Sequence, residues 1–402
     1  MTRRSSPHRL RQGFTTGSAA AAAAKAALSS LFTGLAPAEV DIPLPPGGRL
    51  AVPVESACLV EGGASARATV VKDGGDDPDA THGARISCLA TLGSSGEPDA
   101  ENFVGQERAV TGGTLPAPGK VVVEGGRGVG RVTLPGLPVP VGRAAINPVP
   151  LAQIERAACE AMEESGYTGR VRLVLEVEDG EAMARRTLNP RLGVVGGISI
   201  LGTQGIVMPF SLEAWKATID SGLEVARAAG CTTAAFATGR RGERLLMARR
   251  SSLPELAFIQ AADFFAYATQ RAVQMGFSEI VWGCFFGKLA KMAQGLPSTH
   301  AHASPTDFVA LAELAGQAGA DAGTCLEVSR ANTARHALEI VPEGLVRERF
   351  VAKAAAKALE AARGFAIVAS DPGAGTCQAA SPRLGVCCFG FEGGVLAEAY
   401  TS

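Results

Sequence analysis

The sequence has few charged and few aromatic residues, and this restricts the partners it can bind. Charged residues make up 19% of the 402 positions and the formal net charge is −1. A nucleic-acid-binding surface needs a basic stripe, which this sequence lacks. Aromatic residues make up 5%, too few for platforms on which bases stack. Nucleic acid is therefore not an expected partner.

Long hydrophobic runs and paired cysteines are also missing. No stretch of about 20 apolar residues is present that could cross a membrane, so a membrane is not an expected partner. The basic N-terminus leads into an alanine-rich segment interrupted by Lys25, which favours an ordered helix over an export signal. The nine cysteines lack C-x-x-C spacing, which favours free thiols and a cytoplasmic location.

The order of the predicted elements indicates an α/β protein of two domains. A chain of 402 residues is longer than a single core ordinarily serves. Residues 1–192 contain short strands separated by Pro and Gly, with a long helix near each end, which predicts an α+β domain. Residues 193–402 alternate strands and helices, which predicts an open, largely parallel sheet with helices on both faces, a Rossmann-like three-layer domain. Ligands of such sheets bind outside the carboxyl ends of the strands.

A glycine run opens the second predicted domain with "GVVGGISILGTQGIV", residues 193–207. Gly196, Gly197, Gly202 and Gly205, with Thr203 among them, would let the backbone approach a ligand closely and donate its amides. The spacing is not G-x-G-x-x-G, and no G-K-[ST] follows that would make a P-loop. The pattern alone is equally compatible with a cofactor-binding turn and with a structural strand end.

An acidic loop, "VVKDGGDDPDATHG" at residues 70–83, lies between two predicted strands. Asp73, Asp76, Asp77 and Asp79 crowd together with His82, and crowded carboxylates can raise one another's pKa and supply a general base. The calcium-loop pattern of alternating carboxylates is missing. The alternative interpretation is a solvated turn held by local hydrogen bonds.

Basic residues in two segments could bind an anionic ligand. The arginine–glycine segment, residues 123–150, spaces Arg127, Arg131 and Arg143 with glycines, which exposes guanidinium groups and backbone amides together. A hairpin with solvated arginines remains the alternative. Lys288 follows a glycine at a predicted strand-to-helix turn, and His300 lies downstream in a polar turn.

Together these segments resemble one family, the cobalt-precorrin-5B (C1)-methyltransferases of oxygen-independent cobalamin synthesis. The resemblance rests on segments that occur in this order: "GFTTGSAAAAAAKAAL", "VVKDGGDDPDATHG", "GRGVGRVTLPGLPVPVGRAAINPVP", "TLNPRLGVVGGISILGTQGIVMPFS" and "GKLAKMAQG…TH". It implies that S-adenosylmethionine methylates carbon 1 of a cobalt-bearing tetrapyrrole to give cobalt-precorrin-6A. The cobalt belongs to the substrate, so no metal site of the protein's own is expected.

The resemblance also assigns expected roles to the segments. The glycine run would bind S-adenosylmethionine, and the five basic residues would bind the acetate and propionate groups of the substrate. If a proton must be removed, Asp73, Asp76, Asp77 or His82 could accept it. An NAD-linked oxidoreductase and a non-catalytic tetrapyrrole-binding protein are the alternative functions, and a homo-oligomer is left open.

Overall fold

The computed structural model describes residues 10–60, 63–93, 120–300, 305–369 and 381–401. The chain divides into two compact units, unit 1 (Met1–Ser211) and unit 2 (Leu212–Ser402). No helix formed by the described residues is both long and apolar enough to cross a membrane.

Unit 1 combines a five-stranded sheet with two long helices. Its helices are α1 (Thr16–Thr33), α2 (Pro148–Ser165) and α3 (Gly180–Ala184). Its strands are β1 (Gly13–Phe14), β2 (Glu39–Pro43), β3 (Arg49–Pro53), β4 (Ser56–Leu59), β5 (Ser65–Val71), β6 (Arg85–Gly93), β7 (Val121–Gly125), β8 (Gly128–Val129), β9 (Arg131–Val132), β10 (Arg170–Val177), β11 (Val194–Val195), β12 (Gly197–Ile198) and β13 (Ile206–Val207). The sheet has the order β4-β5-β6-β10-β7, in which only the β10–β7 pair is parallel.

Helix α1 is the centre of the unit 1 core. The alanines between Ala19 and Ala27 are fully buried, because α2 and the sheet approach α1 closely and only small side chains fit. The Thr15 side chain caps the helix by accepting from the Ser18 amide at 3.2 Å, and Gly34 ends it in a left-handed conformation.

The glycine run lies in unit 1, whereas the sequence pattern predicted it at the start of the second domain. It forms three two-residue strands: β11 pairs with β9, β12 with β8 and β13 with β1. Its β-branched residues predicted a strand but could not identify the strand's partners, and these belong to the first half of the chain. The α/β sheet begins only at Thr233, in unit 2.

Unit 2 contains a five-stranded sheet covered by helices on both faces. Its strands are β14 (Thr233–Ala237), β15 (Phe258–Gln260), β16 (Glu279–Phe285), β17 (Arg383–Phe389) and β18 (Val395–Tyr400). Its helices are α4 (Leu212–Ala228), α5 (Arg240–Arg249), α6 (Phe265–Gln274), α7 (Phe286–Ala293), α8 (Phe308–Ala318), α9 (Ala322–Ser329), α10 (Ala334–Ile340) and α11 (Leu345–Ala369).

The unit 2 sheet has the order β15-β14-β16-β17-β18, with β18 antiparallel to its neighbour and the other pairs parallel. Side chains alternate between the faces: Ala235 and Val281 pack with Leu246 of α5, whereas Phe236 and Trp282 pack in the cluster that contains α6 and α11. The predicted mixed α/β class is therefore confirmed.

Candidate functional site

The acidic loop holds together two other segments of unit 1. The backbone amide of Arg11 donates to Asp76 Oδ2 at 2.7 Å, and the Arg11 guanidinium group forms an ion pair with Asp73. The amide of Phe210, just after the glycine run, donates to Asp77 Oδ1 at 2.9 Å. Three of the four predicted carboxylates therefore anchor neighbouring backbone or side chains.

The fourth carboxylate, Asp79, is neutralised by a buried lysine. Lys72, whose side chain is 2% exposed, forms an ion pair with Asp79, which also accepts from the Thr81 amide and hydroxyl at 2.7 Å. Burial raises the pKa of Asp79, but the charge of Lys72 and the hydrogen bonds from Lys72 and Thr81 outweigh burial. The pKa of Asp79 therefore lies below the ordinary value. The hydrogen bond from Arg11 likewise lowers the pKa of Asp73. Both carboxylates are therefore weaker bases than a free aspartate.

His82 is the group of the acidic loop best suited to hold a proton. Its side chain is 54% exposed, and Nδ1 accepts from the Gly74 amide at 2.9 Å, with Asp73 Oδ1 at 3.6 Å. Because Nδ1 is an acceptor in this arrangement, a neutral His82 carries its proton on Nε2. The imidazole can thus donate or exchange a proton with a ligand through Nε2.

Close packing within unit 1 accounts for three glycines of the run. A side chain at Gly197 would overlap the carbonyl group of Gly128, and one at Gly202 would overlap the Thr15 side chain. At Gly205 a Cβ would lie 2.6 Å from Leu44 Cδ2. Gly196 differs, because a Cβ there would meet nothing within 4 Å. Gly196 and Thr203 are exposed and form the open edge of the run.

The glycine run connects the arginine–glycine segment to the acidic loop. Gly197 pairs with Gly128 and Val195 with Arg131, which brings two strands of that segment beside the run. On its other side, Ile206 pairs with Phe14, whose amide donates to the Asp73 carbonyl group at 2.8 Å. Three motifs that the sequence distributed over two domains thus belong to unit 1.

The predicted arginines differ in their surroundings. Arg127 is exposed, and its guanidinium group has no hydrogen-bond partner in the described part of the chain. Arg131 is exposed and donates to the carbonyl group of Gly142, whereas Arg143 is half-buried. Of the three arginines, Arg127 is therefore the one that can bind a ligand without breaking an existing contact.

Unit 2 contains a cleft of about 580 Å³ at the carboxyl ends of β14, β16 and β17. Residues 238–242, 285–288 and 389–391 line it, together with Lys291, Thr299 and Arg335. Lys288, predicted from the sequence, lies in this cleft, where it forms an ion pair with Asp263. His300 does not line the cleft, but its carbonyl group accepts from Lys291 Nζ at 3.0 Å.

Gly239, Arg240 and Arg241 also line this cleft, and they were not predicted as site residues from the sequence. A recognisable signal was present: the strand sequence "TTAAFA" is followed by "TGRRG" at the start of a helix. Glycines and cations at such a turn are suited to an anionic ligand. Arg335 gave no signal, because its helix lies about 50 residues before β17 and nothing local relates the two.

Three buried cysteines of unit 2 are poor nucleophiles. Burial raises the pKa of Cys388 to about 12 and that of Cys387 to about 11, and it raises the pKa of Cys284 well above the ordinary value. Among the described residues, no three His, Cys, Asp or Glu side chains are grouped so as to hold a metal ion.

Comparison with known proteins identifies the family. The family model described as CbiD matches residues 3–209, and the one described as CbiD, C-terminal domain, matches residues 298–400. The cobalt-precorrin-5B C(1)-methyltransferase of Nitratidesulfovibrio vulgaris is 51% identical over 338 residues, which are 83% of this chain and 81% of that protein. The protein of the same name from Geobacillus sp. is 43% identical over 341 residues, 85% of this chain and 86% of that protein.

One solved structure, the cobalamin biosynthesis protein (cbiD) of Archaeoglobus fulgidus, is also similar. It is 28% identical, and the match covers 70% of this chain and 79% of that one with a TM-score of 0.36. The two family models and the curated relatives agree with the resemblance carried by the sequence motifs, so the chain belongs to the CbiD family.

Proposed function

We propose that this protein methylates carbon 1 of cobalt-precorrin-5B to give cobalt-precorrin-6A. The observation that carries the proposal is the 51% identity, over 83% of the chain, to a relative named for this reaction. Methyl transfer to an electron-rich macrocycle needs no protein nucleophile, which agrees with the raised pKa of the buried thiols. The protein's task is to align the reactants and exclude water.

The proposed methyl donor is S-adenosylmethionine, which when bound supplies an electrophilic methyl group on a positively charged sulfur. Unit 1 contains residues that fit such a ligand. The open edge of the glycine run, at Gly196 and Thr203, leaves space for it, and the carboxylates of the acidic loop lie in the same unit, where they favour a positively charged ligand. We therefore retain the glycine run as the proposed cofactor-binding segment, with binding limited to this edge.

Unit 1 also offers residues for substrate binding and proton transfer. Arg127 is available for a substrate carboxylate, and Arg131 and Arg143 extend the same basic segment. The Nε2 atom of His82 can hold or pass on a proton if the macrocycle loses one. The eight cysteines in the described part of the chain are free thiols, which supports the expected cytoplasmic location.

For unit 2 we infer a Rossmann-like three-layer arrangement. Along the chain, β15 is added on one side of β14, and β16 and β17 are added on the other side, so the strand order switches between β14 and β16. Helices cover both faces of the sheet. A ligand crevice is expected where such a reversal occurs, outside the carboxyl ends of the strands, and the cleft lies there.

The reaction is tested by anaerobic incubation of the protein with cobalt-precorrin-5B and S-adenosylmethionine labelled in its methyl group. We expect label on carbon 1 of the product, and an unlabelled product would refute the proposal. Calorimetry with S-adenosylhomocysteine and NAD distinguishes the alternatives. Binding of NAD alone would indicate an oxidoreductase, and binding of neither would indicate a non-catalytic tetrapyrrole-binding protein.

The cofactor position is tested at Thr203, because alanine at Gly197 or Gly202 would disturb packing as well as binding. Thr203→Val should weaken S-adenosylhomocysteine binding severalfold without lowering the melting temperature. Thr33→Val is the matched control, since Thr33 is exposed at the opposite end of α1 from the run. Equal affinities of the two variants for S-adenosylhomocysteine would indicate that the cofactor does not bind at the glycine run.

A further inference from the structure

Two helices begin at the rim of the unit 2 cleft, on opposite faces of the sheet. Helix α5 starts at Arg240 after β14, and helix α7 starts at Phe286 after β16. Gly239 and Gly287 lie at these turns, and a Cβ at either would meet nothing within 4 Å. Neither has a φ in the left-handed region, because Gly239 is extended, so neither chain conformation nor packing requires a glycine there. Their small size keeps the backbone accessible to a ligand.

The described residues that line the cleft include five cations and no carboxylate. Lys288 is neutralised by Asp263 from outside the lining, and Arg335 Nε lies 2.7 Å from Glu339 on the same helix. The other three cations, Arg240, Arg241 and Lys291, have no carboxylate partner in the described part of the chain. The cleft therefore presents a net positive potential to a ligand.

Lys291 gives the clearest indication that an anion belongs in this cleft. The residue is 7% exposed, and its ammonium group donates to the carbonyl group of His300 at 3.0 Å. Burial, and then the neighbouring Lys288, lower the pKa of Lys291. Asp263 acts on Lys291 only at longer range and forms its ion pair with Lys288, so a carboxylate bound beside Lys291 would compensate the cost of burying its ammonium group.

An aromatic surface accompanies the cations. The rings of Phe285 and Phe391 stack with their centroids 5.2 Å apart at an interplanar angle of 17°. The guanidinium carbon of Arg335 lies 4.6 Å from the Phe391 centroid, and that of Arg241 lies 5.8 Å from it. Phe391 remains 46% exposed. A ligand with a flat conjugated portion and carboxylates can contact this ring and the cations at once.

We propose that the unit 2 cleft binds the tetrapyrrole substrate through its carboxylate side chains, with Arg240, Arg241 and Lys291 as the anion-binding groups and Phe391 as the apolar contact. The identity of the ligand rests on the proposed function, whereas its chemistry rests on the cleft. S-adenosylmethionine also has a carboxylate and a flat ring, but its sulfonium charge is disfavoured among cations with no carboxylate in the lining.

The test titrates the full-length protein with uroporphyrin III, followed by fluorescence, and with S-adenosylhomocysteine, followed by calorimetry. Arg240→Gln and Lys291→Met are compared with Arg244→Gln, which removes an exposed arginine of the same helix that does not line the cleft. We expect each cleft variant to bind uroporphyrin about tenfold more weakly and S-adenosylhomocysteine normally, with Arg244→Gln unchanged for both. Coproporphyrin III, which lacks the acetates, should bind more weakly than uroporphyrin.

Three results would overturn the proposal: no uroporphyrin binding by the wild type, equal binding by Arg240→Gln and Arg244→Gln, or loss of S-adenosylhomocysteine binding in the cleft variants. The last would make the cleft the cofactor site. Because Arg240 is exposed, its variant should fold even if Lys291→Met does not. Failure of the proposed function is detected separately, by the absence of labelled product from the wild type.

Discussion

Lys72 is a buried cation whose removal should destabilise unit 1. Its side chain is 2% exposed and pairs with Asp79, which is 22% exposed. Lys72→Met would leave a largely buried carboxylate without its counter-ion, so we expect the free energy of unfolding to fall by about 2–4 kcal/mol. Urea denaturation measures this change, and Lys72→Met/Asp79→Asn should recover part of it. Lys216→Met, which removes a pair with the exposed Glu213 and a cation–π contact with Tyr267, is the control and should cost at most about 1 kcal/mol.

The same pair predicts how stability depends on pH. The pKa of Asp79 is lower in the folded protein than the ordinary value of about 3.9, so the folded state binds this proton less tightly than the unfolded state does. The resulting stabilisation is complete above about pH 5 and is lost as the pH falls through the lowered pKa. Acid unfolding followed by circular dichroism should begin at a higher pH in Lys72→Met. An identical acid transition in both proteins would contradict this account.

At the scale of single residues, the sequence predicted which segments are unusual but not what their glycines contact. A glycine indicates that something lies close to the backbone, but this can be either another part of the chain or a ligand. Gly202 faces Thr15, about 190 positions earlier in the chain, whereas Gly239 faces an open cleft. No local pattern distinguishes these cases. The acidic loop was similarly ambiguous, because its partners Arg11 and Phe210 are distant in sequence.

At the scale of elements, helix α1 should not tolerate a larger side chain. Ala22 is fully buried where α1 packs against α2 and the sheet, so Ala22→Leu would overpack the core and cost about 2–3 kcal/mol. Ala356→Leu on helix α11 is the matched control, because that position is exposed and the change should stay within about 0.5 kcal/mol. Thermal denaturation compares the two. Equal melting temperatures would show that α1 is not tightly packed.

Elements with strong local signals were the ones predicted best from the sequence. Helix α1 follows from its alanine-rich segment, and the sheet of unit 2 follows from strands alternating with helices. The position of the glycine run could not be predicted in this way, because two-residue strands show almost no periodicity in the sequence. Their pairing with β8, β9 and β1 is a property of the assembled unit.

At the scale of the whole molecule, each unit contains its own hydrophobic core. Ile154 of α2 belongs to the core of unit 1, and Phe350 of α11 belongs to the core of unit 2, where its ring contacts Phe286 at 5.3 Å between centroids. Both side chains are fully buried. The local stability of a segment depends on the core against which it packs. A cavity in one core should therefore destabilise the unit that contains it more than the other unit.

Ile154→Ala and Phe350→Ala test this separation of the two cores. Each change leaves a cavity, and we expect a loss of about 2–5 kcal/mol in the affected unit. Hydrogen exchange measured by mass spectrometry should show faster exchange in β5, β6 and β10 for Ile154→Ala and in β14, β16 and β17 for Phe350→Ala. If either variant accelerated exchange equally in both sheets, the chain would unfold as one cooperative structure. The S-adenosylhomocysteine affinity proposed for unit 1 and the uroporphyrin affinity proposed for the unit 2 cleft could then not be altered independently.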